Sequence, residues 1–231
     1  MGSGIISERY SDYIDSLGIQ LGPQLEALYQ HALDTRVPVI RRQTCDLLRF
    51  LLTEKQPFSI LEVGSAIGFS ALFMAEHMPQ GAHITTIEKD EKRALQAKEN
   101  IGAFHKDEEI TLLVGDAADI LETLQEDSFD LVFMDAAKGQ YIRFLPRVKT
   151  LLKHGGLLVS DNVLSDGQII ESRFAVTRRN RTIHQRMRDY LFALTHDDEL
   201  VTTILTVADG TALSVKQDKD RAGGMRTESV E

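Results

Sequence analysis

Residues 58–70 read FSILEVGSAIGFS, and this stretch decides the fold. An apolar run, Ile60 to Val63, ends on Gly64-Ser65-Ala66-Ile67-Gly68, and a helical pattern, ALFMAEHM, follows. Strand, tight turn and helix in that order open an α/β sheet, and the glycines let the turn backbone approach a ligand closely. The alternation continues outward. Strands are predicted at 59–63, 83–88, 110–114, 129–134 and 156–160, with helices between them, including 69–78 and 90–101. Such alternation implies a doubly wound, mostly parallel sheet. The end differs: ELVTTILTVADGTALSVKQ (199–217) is two β-rich runs joined by Asp209-Gly210, a hairpin signal that adds an antiparallel pair at the sheet edge. Residues 5–55 read as helices, with apolar positions at Leu25, Leu28 and Leu33, then Leu47, Leu48, Leu51 and Leu52. Pro38 is expected to start the second main helix.

The glycine loop and the next strand bound the cofactor. Glu88 ends the strand HITTIE and falls 20 residues after Gly68. A carboxylate at that offset accepts both hydroxyls of a ribose. Glu88 could instead cap the helix at 90–101. A dinucleotide fingerprint would need glycine at position 66, which is alanine, and Glu62 would repel a pyrophosphate. A cationic nucleoside cofactor, S-adenosyl-L-methionine, fits better.

Two further strand ends carry oxygen ligands. FDLVFMDAAK (129–138) ends on Asp135 and Lys138, and GGLLVSDN (155–162) ends on Asp161-Asn162. Two carboxylates and an amide oxygen suit a hard divalent cation such as Mg²⁺ or Mn²⁺, provided the strands are parallel neighbours. An aspartate at a strand end is otherwise a helix or loop cap, and Gly115-Asp116 reads equally as an ordinary turn. Next to a cation the pKa of Lys138 is expected to fall, as a general base near neutral pH requires.

Together LEVGSAIGFSAL (61–72), the Glu88 strand end, GDA (115–117), MDAAK (134–138) and SDN (160–162) resemble the metal-dependent class I O-methyltransferases. This is the group of the catechol and caffeoyl-coenzyme A methyltransferases and their bacterial relatives, and the resemblance covers roughly residues 20–216. It implies a Rossmann-like class I fold that binds S-adenosylmethionine and a metal held by Asp135, Asp161 and Asn162. It also implies that Glu88 holds the ribose and that Gly64, Ser65 and Ser70 line the methionine end, with Glu62 and Asp135 beside the cofactor. Asp116 and Ala117 would border the adenine, and Val37 would cover the cofactor from the N-terminal helices. Lys138 matches the lysine placed near the reacting hydroxyl.

Composition adds limits. The 231 residues suit one domain: helices over 1–57, an α/β core over 58–216, and a disordered tail over 217–231. No run of 18 apolar residues predicts a membrane span. The absence of a secretory signal and a single cysteine, Cys45, suit the cytoplasm. The net charge of −9 argues against broad nucleic-acid binding. Yet RFAVTRRNRTIHQRMR (173–188) holds six arginines and no acid, within or beside a long connection over 163–182. This run resembles the bacterial branch that methylates 5-hydroxyuridine at the tRNA wobble position. It implies a tRNA anticodon loop as partner, with Arg178, Arg179 and Arg181 on the phosphates. A small catechol-like diol is the alternative substrate. Bacterial relatives imply a homodimer.

Overall fold

The computed structural model describes residues 8–172 and 174–217. Three helices lead: α1 (Glu8–Leu17), α2 (Pro23–Asp34) and α3 (Arg42–Lys55). Strand β1 (Ser59–Val63), α4 (Phe69–His77), β2 (His83–Glu88), α5 (Glu91–Ala103), β3 (Ile110–Val114), α6 (Ala117–Thr123) and β4 (Phe129–Met134) follow. After a 3₁₀ turn at Lys138–Gln140 come α7 (Tyr141–Leu151) and β5 (Leu152–Ser160). A second 3₁₀ turn (Ser165–Ile170) precedes α8 (Arg181–His196), β6 (Leu200–Leu205) and β7 (Thr211–Lys216). The sheet order is β3-β2-β1-β4-β5-β7-β6. Strands β1 to β5 run parallel, and β7 is antiparallel to both of its neighbours.

The apolar pattern explains the layers. Side chains alternate across a strand. Ile60, Leu131, Phe133, Leu157 and Val159 enter a core shared with α2, α3 and α4. Their neighbours Leu61, Val63, Val132, Met134 and Leu158 enter a second core with α6, α7 and α8. Each buried side chain of this size contributes about 1.5–3 kcal/mol, and a one-residue slip would exchange the two sets. Because β1 and β4 are neighbours while the chain winds outward from β1 in both directions, the order reverses at their carboxyl ends. That reversal opens a crevice for a ligand.

Several expectations need correction. Pro38 does not start a helix: residues 37–41 are extended, and α3 begins at Arg42. The extended stretch lets Ile40 reach the core at 3% exposure. The proline that opens a helix is Pro23, in the first turn of α2, where a missing N–H costs nothing. Leu33 lies on the outer face of α2 and is 49% exposed. Strand β5 starts at Leu152, before the Gly155-Gly156 pair, and its register with β4 shifts between Phe129 and Leu131. The basic run is divided between a surface segment and the first turns of α8. Cys45 is buried as expected, and burial pushes its thiol up to about 12. The tail expected to be disordered lies outside the described residues from 218 onward. Among the described residues, no helix is long and apolar enough to cross a membrane.

Candidate active site

Five parallel strands end on one cavity of about 540 Å³. Their ends are laced together beyond the sheet. Gly64 and Ser65 donate to the Ile87 carbonyl, Asp135 N to Val63, Asp161 N to Met134, and Gly115 N to Glu88. Gly64 has φ +108°, and a Cβ there would lie 2.2 Å from the Asp135 carbonyl oxygen. Only glycine fits so close an approach with that backbone.

Gly64, Ser65, Ser70, Glu88, Asp116 and Ala117 line the cavity, as do Asp135, Lys138 and Asn162. Pro38, Val39 and Ile40 form its wall on the side of the N-terminal helices, and Val37 is not among its lining residues. Val37 packs partly buried against the core. Glu62 and Asp161 stand behind the surface, with 0% and 1% exposure.

Glu88 does not cap α5; Asp90 does, accepting from the backbone of Lys92 and Arg93. One Glu88 oxygen accepts from Ala66 N at 2.8 Å and the other from Asp90 N at 2.8 Å. Each oxygen keeps a lone pair for a ribose hydroxyl. The carboxylate therefore fixes the glycine loop while facing the cavity. Asp116 both caps α6, through Ala118 N at 2.9 Å, and pairs with Lys89 at 2.7 Å. The Ser65 hydroxyl lines the cavity, is buried and has no hydrogen-bond partner among the described residues. A polar ligand would satisfy it, and the methionine end of S-adenosylmethionine fits that position. Behind the loop, Thr86 donates to Glu62 Oε2, and the Ser70 hydroxyl lies near the same carboxylate. Burial lifts the Glu62 pKa to about 7; the Ser70 and Thr86 hydroxyls oppose this, and the charges of Asp135 and Glu88 add to it.

Asp135 and Asp161 follow β4 and β5, which are parallel neighbours. Asn162 Nδ2 donates to Asp135 Oδ1 at 3.2 Å, leaving its own Oδ1 as a ligand oxygen. Asn162 has φ +58°, a left-handed conformation that asparagine tolerates and that places its amide beside Asp135. Asp161 is held by three donors: Asn162 N at 2.9 Å, Thr44 Oγ1 at 3.3 Å and Thr211 Oγ1 at 3.3 Å. Burial pushes the Asp135 pKa up to about 7, and the charge of Asp161 adds to the rise. Asp161 is also raised, again mainly by burial, against the pull of its donors. Two neighbouring carboxylates that disfavour each other's charge, with an amide oxygen beside them, fit a divalent cation. Among the described residues no three His, Cys, Asp or Glu side chains cluster for a metal.

Lys138 Nζ lies 2.9 Å from Asp209 Oδ2, at the tip of the β6–β7 hairpin. Tyr141, fully buried, directs its hydroxyl at the carbonyls of Met134 and Asp161. Sequence reasoning missed Thr44, Tyr141, Asp209 and Thr211 as parts of the site; of these only the Asp209-Gly210 turn carried any signal. It did not bring the arginines into the cavity. Arg178 and Arg179 are exposed, and Arg181 Nε donates to Val176 O at 3.3 Å.

A seven-stranded sheet with a reversed β7 and a cavity at its switch point is the fold of the class I methyltransferases. The model of the O-methyltransferase family matches residues 21–217, and the chain belongs to that family. Over 127 residues it is 34% identical to a catechol O-methyltransferase of Niastella koreensis, an alignment covering 54% of this chain and 58% of that protein. A catechol O-methyltransferase of Mycobacterium tuberculosis shares 29% identity over 160 residues, 68% of this chain and 73% of that one. A solved structure from Staphylococcus aureus, provisionally named a caffeoyl-CoA O-methyltransferase, superposes with TM-score 0.81 at 31% identity, covering 90% of this chain and 98% of that one. The SAH-bound methyltransferase PaMTH1 of Podospora anserina gives TM-score 0.82 at 25% identity, over 91% and 95% of the two chains.

Proposed function

We propose that this S-adenosylmethionine-dependent O-methyltransferase requires a divalent cation and methylates one of two adjacent oxygens, with 5-hydroxyuridine at the tRNA wobble position as its substrate. The observation that carries the chemistry is the meeting of Asp135, Asn162 and Lys138 with Glu88 in one cavity. When bound, S-adenosylmethionine supplies an electrophilic methyl group on a sulfonium, and the cation supplies Lewis acidity toward two neighbouring oxygens. Glu88 accepts from the ribose, and Asp116 with Ala117 bounds the base. Ser65 and Ser70 meet the methionine end. Asp135, Asp161 and Asn162 hold the cation. Lys138 takes or steadies the proton of the reacting hydroxyl. Most of the rate then comes from holding two reactants in line.

The tRNA reading rests on the segment that leaves the ligands. In a chain of net charge −9, Arg178 and Arg179 are exposed between Asn162 and α8, where loop phosphates could be held. A wobble base is unpaired and free to enter a pocket, and its O4 and 5-hydroxyl oxygens are adjacent like those of a catechol. A small diol remains the second reading, favoured by the names of the catechol O-methyltransferase relatives. Mass spectrometry of tRNA nucleosides from cells lacking the gene decides between them. Accumulated 5-hydroxyuridine supports the tRNA substrate, and unchanged tRNA removes it. A cytoplasmic homodimer completes the proposal, on the analogy of bacterial relatives. The exposed Tyr10, Tyr13 and Leu17 of α1 are its candidate surface, and light scattering is its test.

A further inference from the structure

Asp209 reads in the sequence as a turn residue, and turn residues face water. Here it is 3% exposed and aimed inward, with Oδ2 2.9 Å from Lys138 Nζ. Its place is fixed by backbone ties on both sides. Ala208 N donates to Gln43 Oε1 of α3 at 3.0 Å. Leu164 N donates to the Asp209 carbonyl at 3.0 Å, and Val163 N to that of Gly210 at 2.9 Å. Gly210 has φ +84°, and a Cβ there would sit 2.3 Å from Leu164 Cγ, so the tip lies flush against residues 163–164. Those residues directly follow Asp161 and Asn162.

We propose that Asp209 is a positioning residue: it holds Lys138 Nζ beside the reacting oxygen and registers that lysine to the strand end carrying Asp161 and Asn162. The inference rests on the reading of Lys138 given above. An exposed ion pair would contribute little. This pair differs because its carboxylate is buried and cannot move, so the cation takes its direction from a fixed anion. The lysine stem has four rotatable bonds, and without that anion it spreads over several rotamers. Fewer molecules then present the ammonium in the geometry for methyl transfer.

The test is Asp209→Asn, which keeps the side-chain size and the turn, measured beside Lys138→Met and the double variant. Methyl transfer is read on tRNA carrying 5-hydroxyuridine and on catechol, at saturating S-adenosylmethionine and Mg²⁺. For Asp209→Asn, kcat should fall by up to about a hundred-fold, the scale of a reacting group displaced by about 1 Å, with cofactor Kd unchanged. In the Lys138→Met background the same change should cost far less, because the main effect of Asp209 passes through the lysine; its charge also reaches Asp161, so Mg²⁺ is kept saturating and its Kd is measured for each variant. A second readout needs no activity. In the ligand-free protein labelled with ¹⁵N-lysine, one side-chain ammonium signal should be protected from exchange, absent in Lys138→Met and lost in Asp209→Asn. Unchanged kcat, additive losses in the double variant, or a fall in Tm that accounts for the lost rate would each overturn the positioning role. Wild-type protein that transfers no methyl group to either probe would instead remove the reading of Lys138, and the inference with it.

Discussion

The Tyr141 hydroxyl lies 3.0 Å from the carbonyl of Met134 and 3.0 Å from that of Asp161, so one buried side chain ties together the ends of β4 and β5. Both candidate carboxylate ligands hang on that junction. Tyr141→Phe removes one donor shared by two carbonyls, of which that of Met134 keeps the Asp161 N–H, at a cost of about 0.5–1.5 kcal/mol. Denaturant midpoints should fall accordingly. Metal affinity, followed by calorimetry, should weaken as well; an unchanged metal Kd would show that the junction is rigid without the hydroxyl.

Glu62 gives the chain a pH-dependent stability. Its carboxyl is raised to about 7 in the fold from an ordinary value of 4.5. The folded state therefore binds more protons than the unfolded state between these values. Stability is highest below about 4.5, as far as this group is concerned, and declines as pH rises to about 7. The full effect is on the order of 3 kcal/mol. Glu62→Gln should abolish that share of the decline and be more stable than wild type at pH 8, as read by thermal melts at pH 5 and 8. A wild-type advantage at pH 8 would contradict the burial argument.

Asp135→Asn separates a metal ligand from a structural cap. It removes one of two mutually repelling buried carboxylates, so the Tm without metal should not fall. Wild type with Mg²⁺ or Mn²⁺ at a hundred times Kd should gain about 2.7 kcal/mol, and the variant should gain nothing. EDTA should stop methyl transfer by wild type. Full activity in EDTA would leave both acids as caps.

Glu88→Gln keeps the shape of the side chain and one acceptor oxygen, but not the negative charge. S-adenosylmethionine binding should weaken by about 1.5–3 kcal/mol, the scale of hydrogen bonds to a charged group. Unaltered affinity by calorimetry would take Glu88 out of the ribose site.

Loss of Arg178 and Arg179 should weaken tRNA binding and lower the log–log salt slope by roughly 0.7 for each lost single-strand contact. Turnover of a small diol should survive. If diol turnover disappears while tRNA binding stays intact, the segment closes a small-molecule pocket.

Where burial imposes a pattern, the sequence was readable. Strands β1 and β4 are nearly all buried and read as apolar runs, while β2 and the half-exposed edge strand β3 are marked by β-branched residues; runs ending at Val63, Glu88, Val114 and Met134 match the four strands. The strand-end aspartates were readable too, because parallel order alone brings them together. The remaining parts of the site depend on contacts that no local pattern encodes. Thr44 reaches Asp161 across 117 positions, and Asp209 reaches Lys138 across 71. Pro38 misled because proline suits a helix start and an extended strut equally, and burial of Ile40 decided for the strut.

The approach of Gly64 to the Asp135 carbonyl has a thermodynamic consequence. The loop proposed to face the methionine end and the strand end proposed to face the cation touch backbone to backbone, with no side chain between them to absorb a shift. Ordering either ligand site restrains the other. The two ligands should therefore show positive linkage, each tightening the other by the same factor, as reciprocity of binding free energies demands. Titrating Mg²⁺ with and without S-adenosylmethionine, and the reverse, measures that factor.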